Sequence, residues 1–384
     1  MAKKRIITHD IYYHNSSAAA SPFSPAAPAA GFSLRNACQT DLHGVKYEQR
    51  HSETCRPAPL MGSGRYPRAE TGGRPRRKVR QIMDQLQPQL NKLLRRRLSR
   101  VGWGVLLYLL TTQIIGGLLL AIPAVGRSIY LTMAVNEAVS YGLAPLVLWL
   151  MIRPLPKGRG PELPLSPRAF ARTAVFSLGT LYLFNLVTVL LVAAVEAFSG
   201  SSTGNLLDNV VNSLPTWLYL VMVGAIAPVM EELIFRKLLL DRLRPFGDRC
   251  AILVSAVAFG LFHMNLYQLF YATALGLVFA GVVIKTGRIW HTIALHAIVN
   301  LGSAGMSALT GAGRWGAGAA GILMFLLMGL AIYFFSRYAR TFRFAPPAPP
   351  VTDQQALSSL LRAPGIWVCT VLTLAASVAV IFLV

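Results

Sequence analysis

The sequence predicts an all-α, polytopic integral membrane protein, on three observations. Of 384 residues, 54% are hydrophobic and only 14% charged, and the mean hydropathy is +0.50. That leaves too little polar surface to cover a soluble core of this size. The apolar residues also come in unbroken runs, several about 20 residues or longer, the length a helix needs to cross the hydrocarbon layer. Finally, the formal charge of +22 is unevenly placed, gathering in the N-terminal region and in alternate connections between the runs.

Residues 1–82 read as a disordered basic N-terminal extension, either a native tail or an over-long start. Ser16 to Gly31 is rich in Ala, Pro and Ser, and Met61 to Arg80 in Gly, Pro and Arg. Met1 to His14 is charged and mixed, unlike a cleavable signal peptide. Residues 83–100 form a basic juxtamembrane segment that leads into a transmembrane domain over 101–384. Residues 1–100 carry 19 Lys/Arg against 6 Asp/Glu, the balance of a cytoplasmic flank drawn to anionic lipid. Nucleic acid is not an expected partner: neither Arg74 to Arg80 nor Arg95 to Arg97 is interleaved with aromatic residues or set in a recognition module. Cys38, Cys55, Cys250 and Cys369 lie far apart and indicate neither a disulfide framework nor a thiolate metal site.

Nine apolar runs follow: Val101–Val125, Ile129–Ile152, Phe170–Phe198, Leu214–Phe235, Ala251–His263, Leu266–Ile284, Ile289–Leu309, Ala317–Phe335 and Ile366–Val384. They predict eight or nine spans, the lower count applying if the short fifth run is half of a broken or re-entrant element. With a cytoplasmic N-terminus, alternate connections should be basic. Arg153, Lys157, Arg159 and Arg168 follow the second run, and Arg236, Lys237, Arg242, Arg244 and Arg249 the fourth. Lys285 and Arg288 follow the sixth, and Arg337, Arg340 and Arg343 the eighth. The opposite connections hold only Arg127 and Arg314. Nine spans satisfy this alternation and place the C-terminus outside.

Ionisable residues inside spans are costly, so each is a functional candidate. Three short clusters stand out. At the end of the fourth run lies Glu231-Glu232-Leu-Ile-Phe-Arg236. Adjacent helical residues point about 100° apart, so the two carboxylates cannot face one target. Glu232 and Arg236, four apart in the favourable order, are expected to pair, which leaves Glu231 facing a cavity. A carboxylate in low dielectric without a full counter-charge can act as a base near neutral pH. Set against this is a solvated helix end at the cytoplasmic boundary. The second cluster places Phe259 one turn from His263, so that its ring can orient the imidazole; the alternative is a hydrogen-bonded core histidine. The third, His296 and Asn300, can aim two N–H groups at one oxyanion, or can serve interhelical hydrogen bonding. Glu137 and Glu196 fit no cluster; Glu137 is expected to pair with a polar neighbour such as Asn136 or with a residue on another helix.

Together, EExxxR, FxxxH and HxxxN on successive apolar segments resemble the CPBP family of CAAX proteases and bacteriocin-processing enzymes (Abi proteins), which includes the type II CAAX prenyl endopeptidases. The resemblance covers roughly Leu214 to Gly311 and implies an intramembrane endopeptidase core. It further implies that Glu231 activates water with the help of His263. His296 and Asn300 would stabilise the oxyanion, with Glu232, Arg236 and Phe259 in support. Its expected partners are membrane lipid and a membrane-associated protein or peptide substrate, CAAX-like or other, in a bacterial inner membrane. No cofactor is expected; the alternative is a zinc ion on Glu231, His263 and His296. No HExxH is present, and Asn300 suits an oxyanion better than zinc. Two other function classes stand beside the peptidase: a non-catalytic bacteriocin-immunity or scaffold protein of the same fold, and a transporter, for which the sequence offers no repeated halves.

Overall fold

The computed structural model describes residues 73–158, 160, 162–199 and 214–382, and among them every regular element is helical. Residues 1–72 of the N-terminal extension, residues 200–213, Arg159, Pro161, and Leu383 and Val384 of the last run lie outside the described residues. Leaving aside the short helical turns Pro123–Gly126 and Ala339–Thr341, ten helices follow in order among the described residues: α1 Gly73–Leu120, α2 Ile129–Ile152, α3 Pro167–Ser199, α4 Thr216–Phe246, α5 Asp248–Phe262, α6 Leu266–Thr286, α7 Ile289–Gly311, α8 Arg314–Tyr338, α9 Asp353–Leu361 and α10 Pro364–Phe382. The first begins at Gly73, inside the stretch read as extension, and runs without a break through the juxtamembrane segment into the first apolar run.

Seven of these helices are long and apolar enough to cross a membrane, or eight if α9 and α10, bent by 53°, count as one span. The chain is thus a polytopic α-helical membrane protein. The nine-span count is not met among the described residues, because α5 has only 15 residues. At 1.5 Å per residue it reaches roughly 22 Å, short of a hydrocarbon layer of about 30 Å.

The alternating charge does correspond to one end of the bundle. Gly158 N–H donates to Asp241 O at 2.7 Å, and Leu163 N–H to Thr286 O at 2.7 Å. Asp248 N–H donates to Ala345 O at 3.1 Å. The connections after α2, α4, α6 and α8 therefore meet at the same end. Arg288 pairs there with Glu162 and Arg249 with Asp353.

Two packing features position the functional residues. First, α5 and α6 form a tight hairpin: a Cβ on Gly276 would lie 2.8 Å from Ala256 Cα, so glycine is required for the backbones to approach this closely. Second, besides a π-helical stretch at Leu233–Leu240 in α4, α2 and α4 each contain a short π-helical turn, at Ala138–Leu143 and Met222–Ile226. Each lies just before a proline, Pro145 and Pro228. A proline has no N–H and its ring crowds the carbonyl four residues earlier, so the ladder shifts register there. In the π register Ala144 N–H bonds Val139 O and Ala227 N–H bonds Met222 O. The next carbonyls, Ser140 O and Val223 O, would need the N–H that Pro145 and Pro228 lack.

Neighbouring helices satisfy both. The Tyr108 hydroxyl on α1 donates to Ser140 O at 3.1 Å, and the Asn300 amide on α7 donates to Val223 O at 2.8 Å.

Candidate active site

The carboxylates lie well inside α4. That helix continues past the expected run end at Phe235 to Phe246, so Glu231, Glu232 and Arg236 are not a solvated terminus. Glu231 is 4% exposed, and Glu232 and Arg236 are fully buried. Arg236 is therefore not part of a basic loop. It stays in the helix because its charge is matched locally.

Glu232 Oε2 lies 3.2 Å from Arg236 Nε. The guanidinium also lies over the rings of Phe259, at 4.5 Å, and Phe279, at 5.6 Å. Its terminal nitrogens have no hydrogen-bond partner among the described residues, so these cation–π contacts are their main compensation. Glu232 Oε1 faces His296 Nδ1 at 3.3 Å. A carboxylate accepts there, so the Nδ1 proton is held on that side. Glu232 is thus occupied by two cationic or donor groups.

Glu231 is held differently. Its Oε1 accepts from the Tyr141 hydroxyl at 2.9 Å, across 90 residues of sequence. Its Oε2 has no hydrogen-bond partner among the described residues and lies 3.7 Å from His296 Nε2. That separation is longer than a direct hydrogen bond, and Oε2 is closed off from solvent in this conformation. The Arg236 guanidinium and the His296 ring stand against the two carboxylates, the kind of local matching that buried charges require.

His263 follows the last residue of α5 and is half-buried. Its ring packs against Phe259 at 5.4 Å, edge to face, and against Phe262 at 5.4 Å. Phe259 is also 5.6 Å from His296, so one ring touches both histidines and the arginine. The next residue, Met264, has φ 45°. For a side chain of this size that left-handed turn costs about 1–2 kcal/mol. The chain reverses here, and Asn265 caps α6 by accepting from Tyr267 N–H at 2.9 Å. Asn300, half-buried one turn beyond His296, spends one amide N–H on Val223 O. Its amide carries a second N–H.

The structure adds Tyr141 to the site, as well as Glu137, one turn earlier on α2. Glu137 hydrogen-bonds Asn136 and lies within electrostatic reach of Glu231, while its Oε2 is buried without a hydrogen-bond partner. The pairing expected with Asn136 is present, but the proximity to Glu231 was not foreseen. The legible signal was Pro145, which marks a register shift around Tyr141.

Zinc requires at least three nitrogen, sulfur or oxygen donors about 2.0–2.3 Å from one point. Among the described residues no three His, Cys, Asp or Glu side chains form such a group. Glu231, His263 and His296 as placed do not converge on one such point and so do not fit a zinc ion. The chemistry derived from this geometry uses no metal.

Residues 213–302, which contain all three clusters, match the family model described as type II CAAX prenyl endopeptidase Rce1-like. Over 100 residues the chain is 35% identical to the protein named "Putative membrane peptidase YdiL" of Bacillus subtilis (strain 168). That stretch is 26% of this chain and 40% of the relative's length. No solved structure gives a significant match.

Proposed function

Proceeding from residues 213–302 as a core of the CAAX protease family, we propose that the chain is an intramembrane endopeptidase. It cleaves a peptide bond of a membrane-associated protein or peptide without a bound metal. The observation that carries this reading is the asymmetry of the glutamate pair. Glu232 is tied off by Arg236 and His296, while Glu231 is braced on one oxygen by Tyr141 and presents the other beside His296 Nε2.

In this reading Glu231 Oε2 takes a proton from a water that attacks the scissile carbonyl carbon. The carbonyl π pair moves to oxygen, and the oxyanion is stabilised by His296 Nε2–H and the second N–H of Asn300. Negative charge passes from Glu231 to the oxyanion, so the net charge of the buried cluster does not change in this step. Collapse of the tetrahedral intermediate breaks the C–N bond. Glu231 returns its proton to the departing nitrogen, giving a carboxyl group and an amine. His263, oriented by Phe259, holds the water. The basic end of the bundle faces the cytoplasm, and substrate reaches the site from that side or laterally.

The test is proteoliposome reconstitution of the full chain with prenylated CAAX peptides and unprenylated membrane peptides, read by mass spectrometry. Cleavage by wild type that disappears in Glu231→Gln is the expected result. Cleavage by both proteins at equal rates would overturn the assignment of the base.

A further inference from the structure

Away from the glutamate site, α1 and α9 flank a pocket of about 310 Å³. The pocket opens to the surface, and it is lined by Lys92 and Arg95 from α1 and Arg362 at the end of α9, all three exposed, together with Asn91, Ser358 and Ser359. No acidic residue lines it, and none of the three cations has an ion-pair partner among the described residues. Three cations at one concavity repel each other, so an anion that contacts all three stabilises the arrangement. The Asn91 amide and the Ser359 hydroxyl supply neutral donors for a phosphate's remaining oxygens, while the Ser358 hydroxyl donates to Gln355 O at 3.2 Å.

The depth of the pocket identifies the kind of anion. It lies at the end of the bundle where the basic connections meet, since Arg249 pairs with Asp353 at the start of α9. On α1, Arg95 precedes the first apolar run by less than two helical turns. Trp103 and Trp367, 38% and 51% exposed, stand just past it on α1 and α10, as indoles do at the headgroup level. Trp367 is fixed there by its Nε1–H, which donates to Leu361 O at 2.7 Å. On the apolar side of the α9–α10 bend, a groove of about 200 Å³ runs between Val105, Leu253, Leu361 and Ile366. A phosphate above an indole belt and an apolar groove describes a phospholipid.

We infer that the pocket of Lys92, Arg95 and Arg362 with Ser358 and Ser359 is a headgroup site for one anionic phospholipid. This assignment does not depend on the protease reading. The lipid adds to the junction of α1 with the bent α9–α10 pair, where Gln355 hydrogen-bonds Gln87 and Gly365 N–H donates to Ser99 Oγ at 2.9 Å.

Native mass spectrometry of the delipidated full chain, titrated with phosphatidylglycerol or with phosphatidylcholine of the same acyl chains, tests it. The expected result is preferential retention of phosphatidylglycerol. In Lys92→Gln/Arg95→Gln/Arg362→Gln its affinity should fall about tenfold or more, from loss of the attraction each cation exerts near the membrane surface. Arg96→Gln/Arg100→Gln, which removes two exposed cations of α1 outside the pocket, should keep wild-type affinity. Equal losses in both variants would mean a diffuse basic surface and overturn the site, as would equal binding of phosphatidylcholine. Displacement of phosphatidylglycerol by millimolar inorganic phosphate would assign the pocket to a soluble anion and overturn the lipid.

Discussion

The side-chain amide of Asn300 donates to the carbonyl of Val223 at 2.8 Å, and the reason lies in Pro228. The π turn moves the Ala227 N–H onto Met222 O, and the next N–H in line is missing because residue 228 is proline. The amide of α7 fills the place of that missing donor. Asn300 therefore holds α7 to α4 at the level of the glutamates, and oxyanion donation falls to its other N–H. Substituting Asn300→Ala should cost about 1–3 kcal/mol by orphaning a buried carbonyl. In a Pro228→Ala background, where the backbone can supply its own N–H, the cost should be clearly smaller. Thermal unfolding of the four proteins in detergent checks this, and equal costs in both backgrounds would refute the link.

Glu231→Gln keeps an acceptor for the Tyr141 hydroxyl and removes only the base. Cleavage should fall by about 10²–10⁴-fold, the usual contribution of a general base, with unchanged thermal stability. Peptide binding, measured by crosslinking, should survive. If neither wild type nor variant cleaves while both bind, the chain is a non-catalytic member of the fold.

Tyr141→Phe removes a single oxygen and frees Glu231 Oε1. We expect kcat to fall by about tenfold with KM little changed, as for loss of one hydrogen bond worth about 1.5 kcal/mol to a charged group. Tyr108→Phe, by contrast, orphans Ser140 O and should lower stability more than kcat. A rise in KM in Tyr141→Phe would point to substrate contact instead of positioning.

Breaking the buried pair by Glu232→Leu or Arg236→Met alone should cost about 3–5 kcal/mol, because the partner is left charged and uncompensated. The double substitution should recover most of that stability. It should not recover cleavage, since His296 Nδ1 loses its acceptor. A stable and active double variant would remove Glu232 from the mechanism.

Phenanthroline at concentrations that strip zinc should leave the cleavage rate unchanged, measured on protein purified without added metal. Loss of activity that returns with zinc would require Glu231, His263 and His296 to rearrange into a ligand set and would replace the glutamate mechanism.

Much of the architecture was legible along the chain. Long apolar runs marked the spans, and the spacing of Glu232 and Arg236 marked their pairing, because both signals are local to one helix. The fifth run left the span count open between eight and nine, since apolarity does not distinguish a complete crossing from a 15-residue helix that turns back at His263 and Met264. The end of the fourth run was misplaced for a related reason. Arg236, Lys237 and Arg242 read as a loop, yet Arg236 is matched by Glu232, Lys237 by Asp241, and Arg242 by the carbonyls of Ile152 and Leu238. Charge ends a helix only where the fold leaves it unmatched.

The sequence by itself determined the membrane class, the order of the helices and the three clusters of polar residues, since hydropathy and helical periodicity act over a few turns. Only the tertiary structure decided which oxygen of Glu231 is presented. It also decided that Tyr141 is its brace and that the carbonyls opposite Pro145 and Pro228 are capped by Tyr108 and Asn300. These are contacts between helices far apart in the chain, and hydrogen bonding across packed helices depends on rotation and depth that no run of residues encodes alone.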